Sequence, residues 1–165
     1  MALSGKAVDK LVFIVLYGGL IALVVWGGSR LINYSLDSKF YKDFLLQWES
    51  SLSSYSVKSG IWPDFSGGNH VEYMDNLSQL MERVDISPPK SNTGHSYVYR
   101  IEKIGKEQDD IFILGFSSRI FLYGISKDTF KRIDRFVDGE VDKKKGFFTG
   151  FLSKDGRTYI GVWRL

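Results

Sequence analysis

Asp134, Asp138, Glu140 and Asp142 put four carboxylates into one short stretch. Hard oxygen donors at close spacing are what a calcium ion requires. The spacing is not that of an EF-hand, however, and Lys143, Lys144 and Lys145 follow at once with charge that opposes a bound cation. The stretch therefore reads as a solvated turn. Asp134 and Asp138, one helical turn apart, either pair with Arg132 or Arg135 or cap local backbone groups. The lysine run has no longer basic stripe around it and reads as a solvated loop. His70 and His95 stand far apart and fit no metal-ligand spacing, and Ser51, Ser53 and Ser54 lack a nucleophile-elbow context. The chain has no cysteine, which removes disulfides, thiol catalysis and thiolate metal sites. With no phosphate-cradling glycine loop or dinucleotide fingerprint either, the expectation is no catalytic residue, no metal and no cofactor. A net charge of +3 over 165 residues gives no reason to expect nucleic acid.

The strongest signal is physical. Residues 11–28 carry no charge and are bracketed by Lys10 and Arg30. Eighteen helical residues span about 27 Å, close to the hydrocarbon thickness of a bilayer. A membrane-inserting helix is expected, its surface supplied by Leu11, Phe13, Leu16, Tyr17, Gly18, Gly19, Leu20, Leu23 and Trp26, with Trp26 at the depth of an interfacial aromatic. A short leader ahead of a large trailing domain favours a signal-anchor with its N-terminus in the cytoplasm. Gly27, Gly28 and Ser29 leave open cleavage by an ordinary signal peptidase.

Beyond Arg30 the helix becomes amphipathic. Leu36, Phe40, Phe44, Trp48 and Leu52 recur every four residues, with Ile32 preceding and Leu45 alongside. Ser35, Asp37, Lys39, Lys42, Asp43, Gln47 and Glu49 fall on the remaining surface. No proline precedes Pro63, so one helix of forty to fifty residues is expected. The segment 60–69 breaks it, and Trp62 is placed to seal the end of the long helix against the rest. A short helix follows, with Val71, Met74, Leu77, Met81 and Val84 on one face. From residue 95 the hydrophobic period changes to two, through SYVYRIEKI, IFILGF, IFLYGI, GFFTGFL and TYIGVWRL. Ser126 can cap a short helix that Gly139 ends. Asp155-Gly156 marks a hairpin. The segments are then a basic leader or cytoplasmic tail (1–10), a transmembrane or filament-core helix (11–29), its amphipathic continuation (30–59) and a globular α+β region packing on it (60–165).

A long N-terminal helix, half apolar and half amphipathic, followed by a loop region and an antiparallel sheet, resembles the type IV pilins and type II secretion pseudopilins. LQWESSLSSYSVKSGIWPDFSGG (46–68) resembles the stretch where the pilin helix runs out through a tyrosine, a glycine and an aromatic-proline pair. SKDTFKRIDRFVDGEVDKKKGFF (126–148) resembles a short segment of pilin-related subunits, with Ile133, Asp134, Asp138, Gly139 and Gly146 at the matching positions. The resemblance implies an α+β fold in which the helix packs on a small antiparallel sheet through Phe40, Phe44, Trp48, Leu52 and Trp62. It also implies processing between Gly5 and Lys6. Cleavage there would put Lys10 at the fifth mature position, where the family usually has glutamate, and Asp9 at the fourth.

The resemblance implies a non-catalytic structural subunit or minor component of a pilus-like or pseudopilus assembly. Its partners would be the lipid bilayer, copies of itself or related subunits, and membrane assembly machinery. Its place would be the bacterial inner membrane, as a single-pass protein with the C-terminal domain outside the cytoplasm. Two other readings stay open: a signal-anchored envelope interaction module that enters no filament, and a small exported enzyme.

Overall fold

A computed structural model describes the backbone of residues 5–165, with the side chains of all but residues 5, 7 and 8. Met1–Ser4, the front of the leader segment, lie outside the described residues. Helix runs without interruption from Gly5 to Lys58, as α1 (Gly5–Phe40), one π-helical turn (Tyr41–Leu45) and α2 (Leu46–Lys58). The π turn has a cause in the sequence. Apolar positions four residues apart overshoot the 3.6-residue α-helical period by about 40° at each step. Widening the turn to an i→i+5 bond, seen where the Leu46 N–H donates to the Tyr41 carbonyl, brings the stripe back into line. Phe40, Phe44, Leu45, Trp48, Leu52 and Tyr55 are all completely buried as a result.

The partner of this stripe is a five-stranded antiparallel sheet of β1 (Val98–Ile101), β2 (Asp109–Phe116), β3 (Arg119–Ile125), β4 (Phe148–Leu152) and β5 (Tyr159–Arg164), ordered β1-β2-β3-β5-β4. It is open, with β1 and β4 at its edges. Strand alternation sends Ile111, Ile113, Ile120, Leu122 and Trp163 into the core. The rings of Phe40 and Phe44 lie 5.1 and 4.7 Å from Tyr99, and a Cβ on Gly115 would sit only 2.8 Å from Leu52 Cδ1. At the far end the Trp48 indole donates to the Ser96 carbonyl at 3.3 Å, and Tyr55 meets Trp62 edge-on at 5.3 Å. Trp62 is half-buried there.

Two further helices complete the domain. In α3 (His70–Glu82) the buried residues are Tyr73, Met74, Leu77 and Met81. Val71 is 54% exposed, against the expectation for that face, because Tyr73 takes the inward position and donates its hydroxyl to the Gly115 carbonyl at 3.0 Å. Helix α4 (Lys127–Asp138) begins at Ser126, whose hydroxyl accepts from the Thr129 N–H, and ends at Gly139 with φ +80°. Phe130 and Ile133 are buried from it. Phe130 lies against Gly150, where a Cβ would come within 2.4 Å of its ring. In the β4–β5 turn, Asp155 accepts from the amides of Arg157 and Thr158 at 2.8 and 2.9 Å.

Candidate functional site

Two features stand out, an uncovered apolar helix and the polar joint that fixes the domain to it. Leu11, Phe13, Leu16, Tyr17, Leu20, Leu23 and Trp26 are all more than half exposed. Gly18 and Gly19 have open space where a Cβ would stand. None of the apolar window is covered by the rest of the protein. So much contiguous apolar surface is not left in water by a soluble domain. Backbone satisfaction within the helix leaves only side chains to face the surroundings, and these side chains suit lipid. Arg30 closes the run with its guanidinium 4.2 Å from the Trp26 ring. Gly5 and Lys6 form the first turn of α1.

The joint begins at Asn33. Its side-chain amide donates to the Ile104 carbonyl at 3.2 Å and accepts from the Ile104 N–H at 2.8 Å, closing a two-bond clamp between α1 and the loop after β1. One turn on, Asp37 is completely buried. Its Oδ1 lies 2.8 Å from Lys103 Nζ, and its Oδ2 is 3.2 Å from Arg132 Nε, an ion pair without hydrogen-bond alignment. Lys103 also lies 3.7 Å from Asp109 Oδ2 and donates to the Thr129 hydroxyl. Asp109 accepts from Ser126 at 2.7 Å. Thr129, with one proton, stands 2.7 Å from Asp109 Oδ2 and 3.1 Å from Asp37 Oδ1, and donates to one of them. Two carboxylates and two cations balance, and the start of α4, the start of β2 and the loop after β1 all meet on one turn of α1.

The sequence pattern assigned Asp37 to the polar surface and Ile32 to the packing stripe. The structure corrects this. Asn33 and Asp37 face the domain, Leu36 is half-buried and Ile32 is 49% exposed. Ile32 lies one residue, about 100°, around the helix from Asn33, while Leu36, one turn before Phe40, packs against the core beside Asp37. Counting back from Phe40 by one and two turns lands on Asp37 and Asn33. The missed signal was polar residues continuing the apolar register, together with a lone lysine at the end of a strand.

The acidic stretch is also not uniformly a solvated turn. Asp134 is completely buried and its carboxylate has no formed hydrogen bond, while Arg132 pairs with Asp37 instead. Burial, then the neighbouring Asp138 charge, push the Asp134 carboxyl up to about 6. The Asp142 amide, which favours the charged form, falls short of a full hydrogen bond. Asp138 caps backbone. Its Oδ1 and Oδ2 accept from the Phe147 and Phe148 amides at 2.8 and 2.9 Å. Gly146, at φ +101°, leaves that carboxylate room, since a Cβ would come within 2.3 Å of it. Asp138 and Gly146 thus tie the end of α4 to the start of β4, while Ile133 is buried from α4 and Gly139 ends it. Among the described residues no group of three or more His, Cys, Asp or Glu is arranged to hold a metal ion.

Fold and site define a class: a long N-terminal helix, able by length and apolar composition to cross a membrane, packed on a small open antiparallel sheet. That arrangement is consistent with a generic pilin-like architecture. No family model, curated protein or solved structure matches the chain.

Proposed function

We propose that the protein is a non-catalytic structural subunit of a pilus-like or pseudopilus assembly. Its helix 11–28 stores in the bilayer and packs against like helices when it leaves. The observation that carries this reading is the uncovered apolar half of a helix whose other half is locked to a folded domain. A simple tether has no need of a rigid joint. An assembly subunit does, because its domain must keep one orientation relative to the packing helix. Single-pass insertion in a bacterial inner membrane, with residues 60–165 outside the cytoplasm, follows from the same reading. So do the partners: copies of this chain or related subunits, and the machinery that extracts them.

The test is to replace residues 11–28 with an unrelated membrane helix of equal length. An assembly subunit loses incorporation into higher-order complexes while keeping membrane localisation. Full retention of assembly would make the protein a signal-anchored interaction module and refute the packing role.

A further inference from the structure

A cavity of about 780 Å³ opens where the apolar helix meets the domain. Trp26, Arg30, Lys106, Lys131, Arg132 and Arg135 line it, and Asp128 is its only carboxylate. Lys106 is neutralised by Asp128, and Arg132 by Asp37. Arg30, Lys131 and Arg135 form no ion pair with the described residues. Arg132 holds one further unused donor: its guanidinium packs 5.2 Å from the Tyr34 ring, and one terminal nitrogen is buried without a hydrogen-bond partner.

The position along the helix identifies what such a cavity meets. From Gly28, the last residue of the apolar run, to Asn33, where the domain first grips the helix, the rise is about 7.5 Å. The headgroup zone on each side of a bilayer is about 5–7 Å deep. The helix side of the cavity, at Trp26 and Arg30, therefore lies in that zone, and the underside of the domain sits at its outer edge. There it presents Ile104, 51% exposed, beside the basic cavity. Lys131 and Arg135 stand one turn apart along α4, so this helix turns a basic edge into the cavity.

The geometry points to a bound anionic phospholipid. Its headgroup phosphate sits in the cavity among Arg30, Lys131 and Arg135, and its acyl chains run down the helix beside Trp26. The inference rests on the membrane span and is independent of filament assembly. The lipid complements the three free cations, which would otherwise crowd one cavity. It also fixes the tilt of the domain on the membrane, adding an outer contact to the buried joint at Asp37.

The test uses the full-length protein reconstituted in bilayers of phosphatidylcholine alone, or with an admixture of phosphatidylglycerol, and native mass spectrometry of the lipid it retains. Each cation near an anionic surface contributes about fivefold in affinity, so Lys131→Gln with Arg135→Gln lowers phosphatidylglycerol retention by about 25-fold. Lys144→Gln with Lys145→Gln removes the same charge outside the cavity and leaves retention unchanged. Equal retention by both double variants overturns the inference. So does inorganic phosphate protecting the detergent-solubilised protein against heat as well as phosphatidylglycerol does, which would make this a site for free anions. Failure of the wild type to reconstitute at all would overturn the span itself, whereas reconstitution without anionic preference overturns the lipid site alone.

Discussion

Changing Asp37 to Asn removes one charge from the buried joint and keeps its shape. At an effective dielectric of about 20, the 2.8 Å contact with Lys103 has a gross attraction of about 6 kcal/mol, and the 3.7 Å contact between Lys103 and Asp109 about 4.5 kcal/mol. Desolvation offsets most of both, so the intact joint adds little net stability over an apolar one. Breaking it is another matter, since it leaves a buried charge without its partner, at a cost of about 3–5 kcal/mol. Lys103 keeps Asp109, and Arg132, whose side chain is 25% exposed, can turn toward water. The expected loss for Asp37→Asn is therefore at the lower end, about 3 kcal/mol. Lys103→Met costs more, because it leaves Asp109 without a cation and Asp37 with Arg132 alone. The double variant costs less than the sum of the singles by about 1–3 kcal/mol. Thermal unfolding in detergent, followed by tryptophan fluorescence, reads this as a fall in Tm of roughly 6–12 °C for Asp37→Asn. A change within about 1 °C, or strict additivity in the double variant, would show that the joint is solvated and would refute the argument.

Other consequences follow from the same geometry. Asp134 has a folded-state pKa of about 6, above its unfolded value, so it binds more protons folded than unfolded between about pH 4 and 6, and its contribution to stability falls as pH rises through that window. Because it lies close beneath the surface, the effect is on the order of 1–2 kcal/mol; Asp134→Asn should raise Tm at pH 7.5, give no gain at pH 4, and flatten the slope between, and an unchanged slope would assign the pH dependence elsewhere. Gly150→Ala drives a methyl into the Phe130 ring and the Ile160 carbonyl, which lie 2.4 and 2.5 Å from the Cβ position, and is expected to destabilise by about 1–3 kcal/mol in chemical denaturation; a neutral result would mean that β4 shifts freely. Asp138→Ala strips two amides of their acceptor, so hydrogen exchange at Phe147 and Phe148 should accelerate while the β2 amides stay protected. Leu20→Arg puts a charge, at about 2.5–3.5 kcal/mol, in mid-span and should reduce membrane insertion, read by fractionation.

The long helix and the strands were legible because their signals are local and periodic. Phe40, Phe44, Trp48 and Leu52 repeat at one spacing, and the strands alternate around Asp155-Gly156 and Gly139. The joint was not legible, because its logic is long-range. Nothing near Asp37 in the chain announces Lys103 or Thr129, and a lone aspartate among helical polar residues looks solvated until the sheet arrives. Asp134 was misread for the same reason, since its burial depends on β4 and the 139–147 loop closing over α4. Trp62 and Tyr55 lie close in sequence, so their contact was open to a local reading.

The central claim is that helix 11–28 packs against other helices while its domain is held rigidly above it. The chain has no cysteine, so single cysteines can be placed at successive positions from Leu11 to Trp26 without background. Oxidative crosslinking in native membranes, scored position by position, measures that packing directly. The account predicts adducts to another copy or a related subunit that rise and fall every three to four residues, marking one helical face. Crosslinking that is absent, or equal at every position, would contradict it and leave the helix as a tether alone.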